Sequence, residues 1–149
     1  MPTLFGWLGN SDLRASADAS GADSGPIWMA LETGAYDCLV LLSDHGQDRT
    51  QNFVAWLRGK FAGAIDVRHA KLRSPTDFED IYVAANEAVS ATLYSSPGLQ
   101  ITFHVSPGTP AMAAVWVLLA KAKYGASLIE TSREHGVHPV VVPFDLAAE

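Results

Sequence analysis

Ser106-Pro107-Gly108-Thr109, followed by Pro110, places two hydroxyls and a glycine directly after an apolar run at residues 99–105. A strand that ends in a glycine-containing turn and feeds a helix presents backbone N–H groups and the positive end of a helix dipole to an anion, and phosphate is the natural occupant. The competing explanation is that Ser106 and Thr109 merely cap the helix while Gly108 relaxes a tight turn. The loop lacks the Gly-Lys-Ser/Thr ending of a Walker A motif and the three glycines of the dinucleotide fingerprint, so classical nucleoside-triphosphate hydrolysis is not expected.

A second polar cluster, Gly9-Asn10-Ser11-Asp12-Leu13-Arg14, follows the first apolar run. Asn10, Ser11 and Asp12 could hold a ligand there, with Arg14 available for a phosphate; an ordinary Asx-turn explains the same residues. Ser43, opening the Ser43-Asp44-His45-Gly46 loop, joins the candidate ligand set with Ser106, Gly108 and Thr109. His45, His69, His104, His135 and His138 show no close-spaced ligand pattern, so no metal and no cofactor is expected. His104, just before the phosphate-like loop, reads first as a buried, hydrogen-bonded histidine. Ser106 has no nucleophile-elbow sequence around it, and no catalytic residue is assigned. The Arg133-Glu134-His135 stretch fits a solvated turn, a dimer contact or a ligand lid.

The elements that must position these residues alternate between strand and helix. Residues 3–8 and 37–42 read as strands, 26–31 as a short helix opened by Pro26, and Phe53, Val54, Trp56 and Leu57 as one helical face. Residues 64–72 alternate in the way of a strand near a sheet edge. Thr76 with Glu79 forms a capping-box signature for a helix carrying Phe78, Ile81, Tyr82, Ala85 and Val89. After the fourth strand, Thr109 as N-cap and Pro110 at the first helical position open a long apolar helix over residues 111–123. Strands at 127–130 and 139–143 close the pattern. The fold class is therefore α/β: one Rossmann-like domain over residues 1–149, with a mainly parallel sheet, helices on both faces, and Leu42 and Val105 near the carboxyl ends of central strands. In such sheets ligands sit beyond the carboxyl ends of the strands, where the three candidate loops fall.

Composition narrows the function classes. With 16 acidic against 10 basic residues the formal charge is −6, which gives no global attraction to duplex nucleic acid, so a nucleic-acid ligand must be small and held locally. Cys38 is the single cysteine and lies in an apolar run, which fits a reducing compartment. No apolar run approaches the roughly 20 residues that span a bilayer and no signal peptide is evident, so the expected location is cytoplasmic, without membrane contact. Hydrophobic residues at 48% suggest apolar surface covered by a partner or by a missing domain, and the almost uniformly apolar helix around Val115 to Leu119 should be buried against the sheet or at a subunit interface, which fits a homodimer.

The run His104-Val105-Ser106-Pro107-Gly108-Thr109-Pro110-Ala111-Met112, preceded by Gly9-Asn10-Ser11-Asp12 after the first strand, resembles the CRISPR-associated Rossmann-fold (CARF) domain. Residues 114–124, the Leu128-Ile129-Glu130-Thr131-Ser132 strand and the closing Val142-Pro143-Phe144-Asp145 are most similar to the N-terminal sensor of RtcR-like regulators, which activate sigma-54-dependent transcription of RNA-repair genes. The resemblance implies a homodimer that binds a small RNA or oligonucleotide ligand: a cyclic oligoadenylate, or an RNA end bearing a phosphate or cyclic phosphate. It further implies Asn10 and Ser11 in a first ligand loop, Ser106, Gly108 and Thr109 in a second, and ATPase and DNA-binding domains beyond Glu149. The pattern is broken at Pro110, where many oligoadenylate-binding members carry a basic residue. The expected function is ligand sensing rather than catalysis, with a metal-independent ring nuclease or ribonuclease as the alternative.

Overall fold

The computed structural model describes residues 1–143. Its chain order is β1 (Pro2–Trp7), α1 (Asn10–Ala17), α2 (Gly25–Leu31), β2 (Cys38–Ser43), α3 (Gln47–Arg58), β3 (Ala64–His69), α4 (Phe78–Ser95), β4 (Gln100–His104), α5 (Pro110–Leu119, continued by a π-helical turn over Ala120–Tyr124), β5 (Ser127–Ser132) and β6 (Gly136–Pro139). The strands form one six-stranded sheet in the order β3-β2-β1-β4-β5-β6, parallel except for β6. From β1 the chain winds outward to β2 and β3, then restarts on the other side with β4, so the topological switch point lies between β1 and β4.

Alternation along the central strands divides the core in two. Phe5, Trp7, Val40, Leu42 and Phe103 pack against α4 and α5 on one face. Leu4, Leu8, Leu39 and Leu41 pack against α1, α2 and α3 on the other. Both faces of β1 and β2 are covered, which is why their sequences read as continuous apolar runs. Leu42 lies next to the carboxyl end of central strand β2 as expected, and Val105 follows β4 with its N–H on the Ile129 carbonyl at 3.0 Å. Edge strand β3 shows alternating exposure. Among the described residues no helix is long and apolar enough to cross a membrane.

Three local expectations give way. The cluster after β1 is not a loop: Gly9 is an N-cap, Asn10 begins α1, and the Asp12 carboxylate reaches back to the Gly9 N–H at 3.0 Å as a capping-box residue does. Helix α4 is capped by Asp77, which accepts from the Asp80 N–H at 2.9 Å, rather than by Thr76, whose hydroxyl pairs with Ser74. The last strand is β6 rather than residues 139–143, and it runs antiparallel because the turn at Arg133-Glu134-His135-Gly136, with Gly136 at φ 67°, reverses the chain into a hairpin on β5. The Phe144 and Asp145 of the resemblance lie outside the described residues.

Candidate functional site

A cavity of about 250 Å³ opens at the switch point, over the carboxyl ends of β1, β2 and β4. Two helix N-termini converge on it. Thr109 is the N-cap of α5 and accepts from the Met112 N–H at 3.3 Å, while Gly9 caps α1. The two turns are pressed together: a Cβ on Gly9 would lie 2.7 Å from the Gly108 nitrogen and 3.4 Å from the Pro107 Cβ. Gly108 itself has φ 91°, and a Cβ there would meet the Met112 sulfur at 2.5 Å. Each glycine is thus required for a different reason, Gly9 by close approach and Gly108 by both backbone conformation and space.

Of the residues singled out in the sequence, Asn10, Ser11, Ser106, Gly108 and Thr109 line this cavity. Asn10 and Ser11 are exposed in the first turn of α1, where backbone N–H groups have no intrahelical partner. The hydroxyls of the second loop are engaged. Ser106 Oγ accepts from the Thr131 N–H at 2.7 Å and donates to the Thr131 carbonyl at 3.2 Å, extending the β4–β5 ladder through a side chain. Thr109 Oγ1 donates to the Pro75 carbonyl at 2.7 Å, tying the β3–α4 connection to the cavity wall.

Asp12 and Ser43 stand apart from the cavity. Asp12 is 1% exposed, with Oδ1 accepting from the Ile27 N–H at 2.9 Å and Oδ2 from Gly9, so it pins α1 to α2 and offers no free oxygen to a ligand. Burial pushes its carboxyl up to about 7 against those two donors. Ser43 is equally buried, bonded to the Thr50 hydroxyl at 2.8 Å and to the His45 N–H at 3.1 Å, so it shapes the turn that carries His45.

That turn brings in two residues the sequence set omits, Asp44 and His45. His45 Nε2 lies 3.1 Å from the Leu8 carbonyl, which only accepts, so Nε2 carries the hydrogen and Nδ1 is the free ring nitrogen. No local pattern marks His45, because its place depends on β2 pairing beside β1. Pro75 is brought in by a connection equally remote in sequence. His104 is fully buried, with Nε2 3.1 Å from the Thr131 hydroxyl and no partner for Nδ1. Burial alone drives it down to about 3, so it is neutral at any working pH.

Among the described residues no group of three or more His, Cys, Asp or Glu side chains could hold a metal ion, and no lysine or arginine lines this cavity. Its capacity for an anion therefore rests on backbone amides and helix dipoles. A larger cavity of about 380 Å³ lies between β3 and α4, but its charges are of both signs and Arg73 there is held by Asp77, Glu79 and Asp80. Neutralised in this way, it is the weaker candidate.

No family model and no curated protein matches the chain. Solved structures do. Csm6 from Enterococcus italicus, bound to cyclic hexa-2′-fluoro-hexa-dAMP, matches at a TM-score of 0.78 and 17% identity, over 95% of this chain and 41% of that one. Can2 from Sulfobacillus thermosulfidooxidans, in complex with cyclic tetra-adenylate, matches at 0.64 and 15%, over 90% of this chain and 33% of that one. Protein VC1899 from Vibrio cholerae matches at 0.65 and 12%, over 93% and 33%. The chain thus spans between a third and about two-fifths of each of these proteins, and what it shares with them at such identities is their Rossmann-like α/β fold.

Proposed function

We propose that this chain is a regulatory sensor domain whose switch-point cavity binds a phosphate of a small RNA-derived or nucleotide ligand. The observation that carries the reading is the convergence of the α1 and α5 N-termini, with Gly9 packed on Gly108, at one cavity. Amides fixed in this way bind an anion without a cationic side chain, which suits a chain of net charge −6. A cyclic oligoadenylate is the favoured ligand class, since Csm6 and Can2 are bound to such rings and share the fold. An RNA end bearing a phosphate or cyclic phosphate, and control of a sigma-54-dependent activator through ATPase and DNA-binding domains, rest on the RtcR-like resemblance. Homodimerisation belongs to the same proposal; Leu118 on α5 and Phe78 and Tyr82 on α4 are exposed apolar side chains available to it.

Recognition without efficient cleavage is part of the reading. Of the groups a ribonuclease would enlist, Ser106 and Thr109 are committed to backbone partners and His104 to the core, which leaves His45 and Asp44 as the titratable side chains in the cavity lining. The test is titration of the protein with cyclic tetra-adenylate, cyclic hexa-adenylate and short RNAs ending in hydroxyl, phosphate or cyclic phosphate, with chromatography of the ligand afterwards. Binding of one phosphate-bearing ligand, abolished in folded Gly108→Asp, is expected. Unaltered binding by that variant refutes the site, and rapid turnover by the wild type refutes the sensor-only reading.

A further inference from the structure

A second cavity of about 200 Å³ shares Ser11 and Pro26 with the first as a common wall. Its lining includes two arginines from distant parts of the chain. Arg14, exposed on α1, donates from Nη2 to the Ser11 hydroxyl at 3.1 Å, which holds its guanidinium beside the wall between the cavities. Arg133, in the β5–β6 turn, donates to Asp23 Oδ2 at 3.0 Å and leaves 81% of its side chain exposed. Thr131, Ser132, Asp23, Gly25 and Met29 complete the lining.

Neither arginine has a structural duty that explains its place. An exposed ion pair such as Arg133–Asp23 adds little stability. The Arg14 guanidinium has five N–H donors, and the structure assigns it one hydrogen bond, to a serine. Guanidinium groups suit phosphate because two parallel N–H donors match two phosphate oxygens. The adjoining cavity, by contrast, has no cation of its own.

We infer that Arg14 and Arg133 form a second anion subsite for the next phosphate of the same strand, so the ligand carries at least two phosphates separated by one nucleoside. The inference rests on the first cavity holding a phosphate. In the free protein Asp23 occupies Arg133, and the incoming phosphate displaces it. The two cavities then divide the work: amides of the α1 and α5 turns hold one phosphate, and a pair of arginines holds the other.

The experiment compares adenosine 3′,5′-bisphosphate with adenosine 5′-monophosphate and adenosine 3′-monophosphate, titrated into wild type, Arg14→Ala/Arg133→Ala and Asp23→Asn. Wild type is expected to bind the bisphosphate roughly tenfold or more tighter than either monophosphate, the scale of one charge-assisted contact. In the double variant that preference falls to near unity while monophosphate affinity stays within about twofold, because the amide site is untouched. Asp23→Asn frees Arg133 and keeps an oxygen for the Gly25 N–H that Asp23 accepts at 3.2 Å, so bisphosphate affinity rises; a damaged fold cannot produce such a gain. A bisphosphate preference that is absent in wild type, or that survives in the double variant, overturns the second subsite and leaves the first reading standing. Failure of wild type to bind any of the three probes at millimolar concentration overturns both.

Discussion

Gly9→Ala isolates the packing of the two turns from everything else in the cavity. Gly9 has φ −105° and ψ 168°, an extended conformation that alanine adopts freely, so no backbone strain enters. What the new methyl meets is the Gly108 nitrogen at 2.7 Å, with Pro107 Cβ and Asp12 Oδ2 both at 3.4 Å. A carbon–nitrogen contact that close must open by about half an ångström, and its neighbours are backbone and ring rather than a flexible side-chain end. Overpacking of this kind costs about 1–3 kcal/mol. For a domain of this size about 2 kcal/mol lowers the melting temperature by roughly 4–8 °C. The opened turns no longer aim their amides at one point, so affinity for a phosphate-bearing ligand should fall at least tenfold, about 1.4 kcal/mol. Calorimetric melting and ligand titration on the same preparation check both numbers. A folded Gly9→Ala protein that melts lower but binds as wild type refutes the claim that the close approach of the turns builds the anion site.

Thr109→Val removes the cap to Met112 and the tie to Pro75 at nearly constant volume, and should cost about 2 kcal/mol in urea unfolding, whereas Thr109→Ser should stay within about 0.5 kcal/mol. Ser106→Ala deletes both bonds to Thr131 and should destabilise by about 2 kcal/mol while ligand affinity of the folded protein changes less than threefold; unchanged stability with a tenfold weaker complex would show that the hydroxyl touches the ligand instead. His104, lowered from 6.5 to about 3, stays neutral in the fold while the unfolded chain takes up its proton below pH 6.5, so stability falls as pH drops through that window. Relative to His104→Gln, the wild type should therefore lose about 2 kcal/mol between pH 7 and pH 5 in urea titrations, and equal losses in the two proteins would disprove the assignment.

The layered sheet was legible because doubly covered strands write themselves as unbroken apolar runs, as at Leu39-Val40-Leu41-Leu42, and because the half-covered edge strand alternates. Thr109-Pro110 likewise announced the start of α5. Helix α1 was missed because Gly9, Asn10, Ser11 and Asp12 are all turn formers, and only the reach of Asp12 back to Gly9 distinguishes a capped helix from a turn. The short β6 was misplaced because two prolines flank the valines that looked strand-like, while Gly-Val-His-Pro carries little β signal and is held by its hairpin. At the site, sequence could name the loops but not their facing atoms. The hydroxyls of Ser106 and Thr109 are the residue types a phosphate loop uses, yet strands and turns far along the chain consume them.

That consumption bears on what the domain can discriminate. Once Ser106, Thr109, Asp12 and Ser43 are subtracted as parts of the frame, the polar groups left lining the first cavity are backbone amides, the Asn10 and Ser11 side chains, Asp44 and His45. Amides and a helix dipole read charge and the tetrahedral shape of a phosphate and are indifferent to the base attached to it. Base identity must be read by side chains with both donor and acceptor capacity, and Asn10 is the one in this set that offers both as an amide. Affinity and base selectivity are thus separable: Asn10→Ala should leave phosphate binding nearly intact while narrowing the difference between adenosine and uridine forms of one ligand. Competition titrations with the two forms measure that difference directly. Loss of all binding in Asn10→Ala would instead place Asn10 on the phosphate, and base selection would then have to come from outside this cavity.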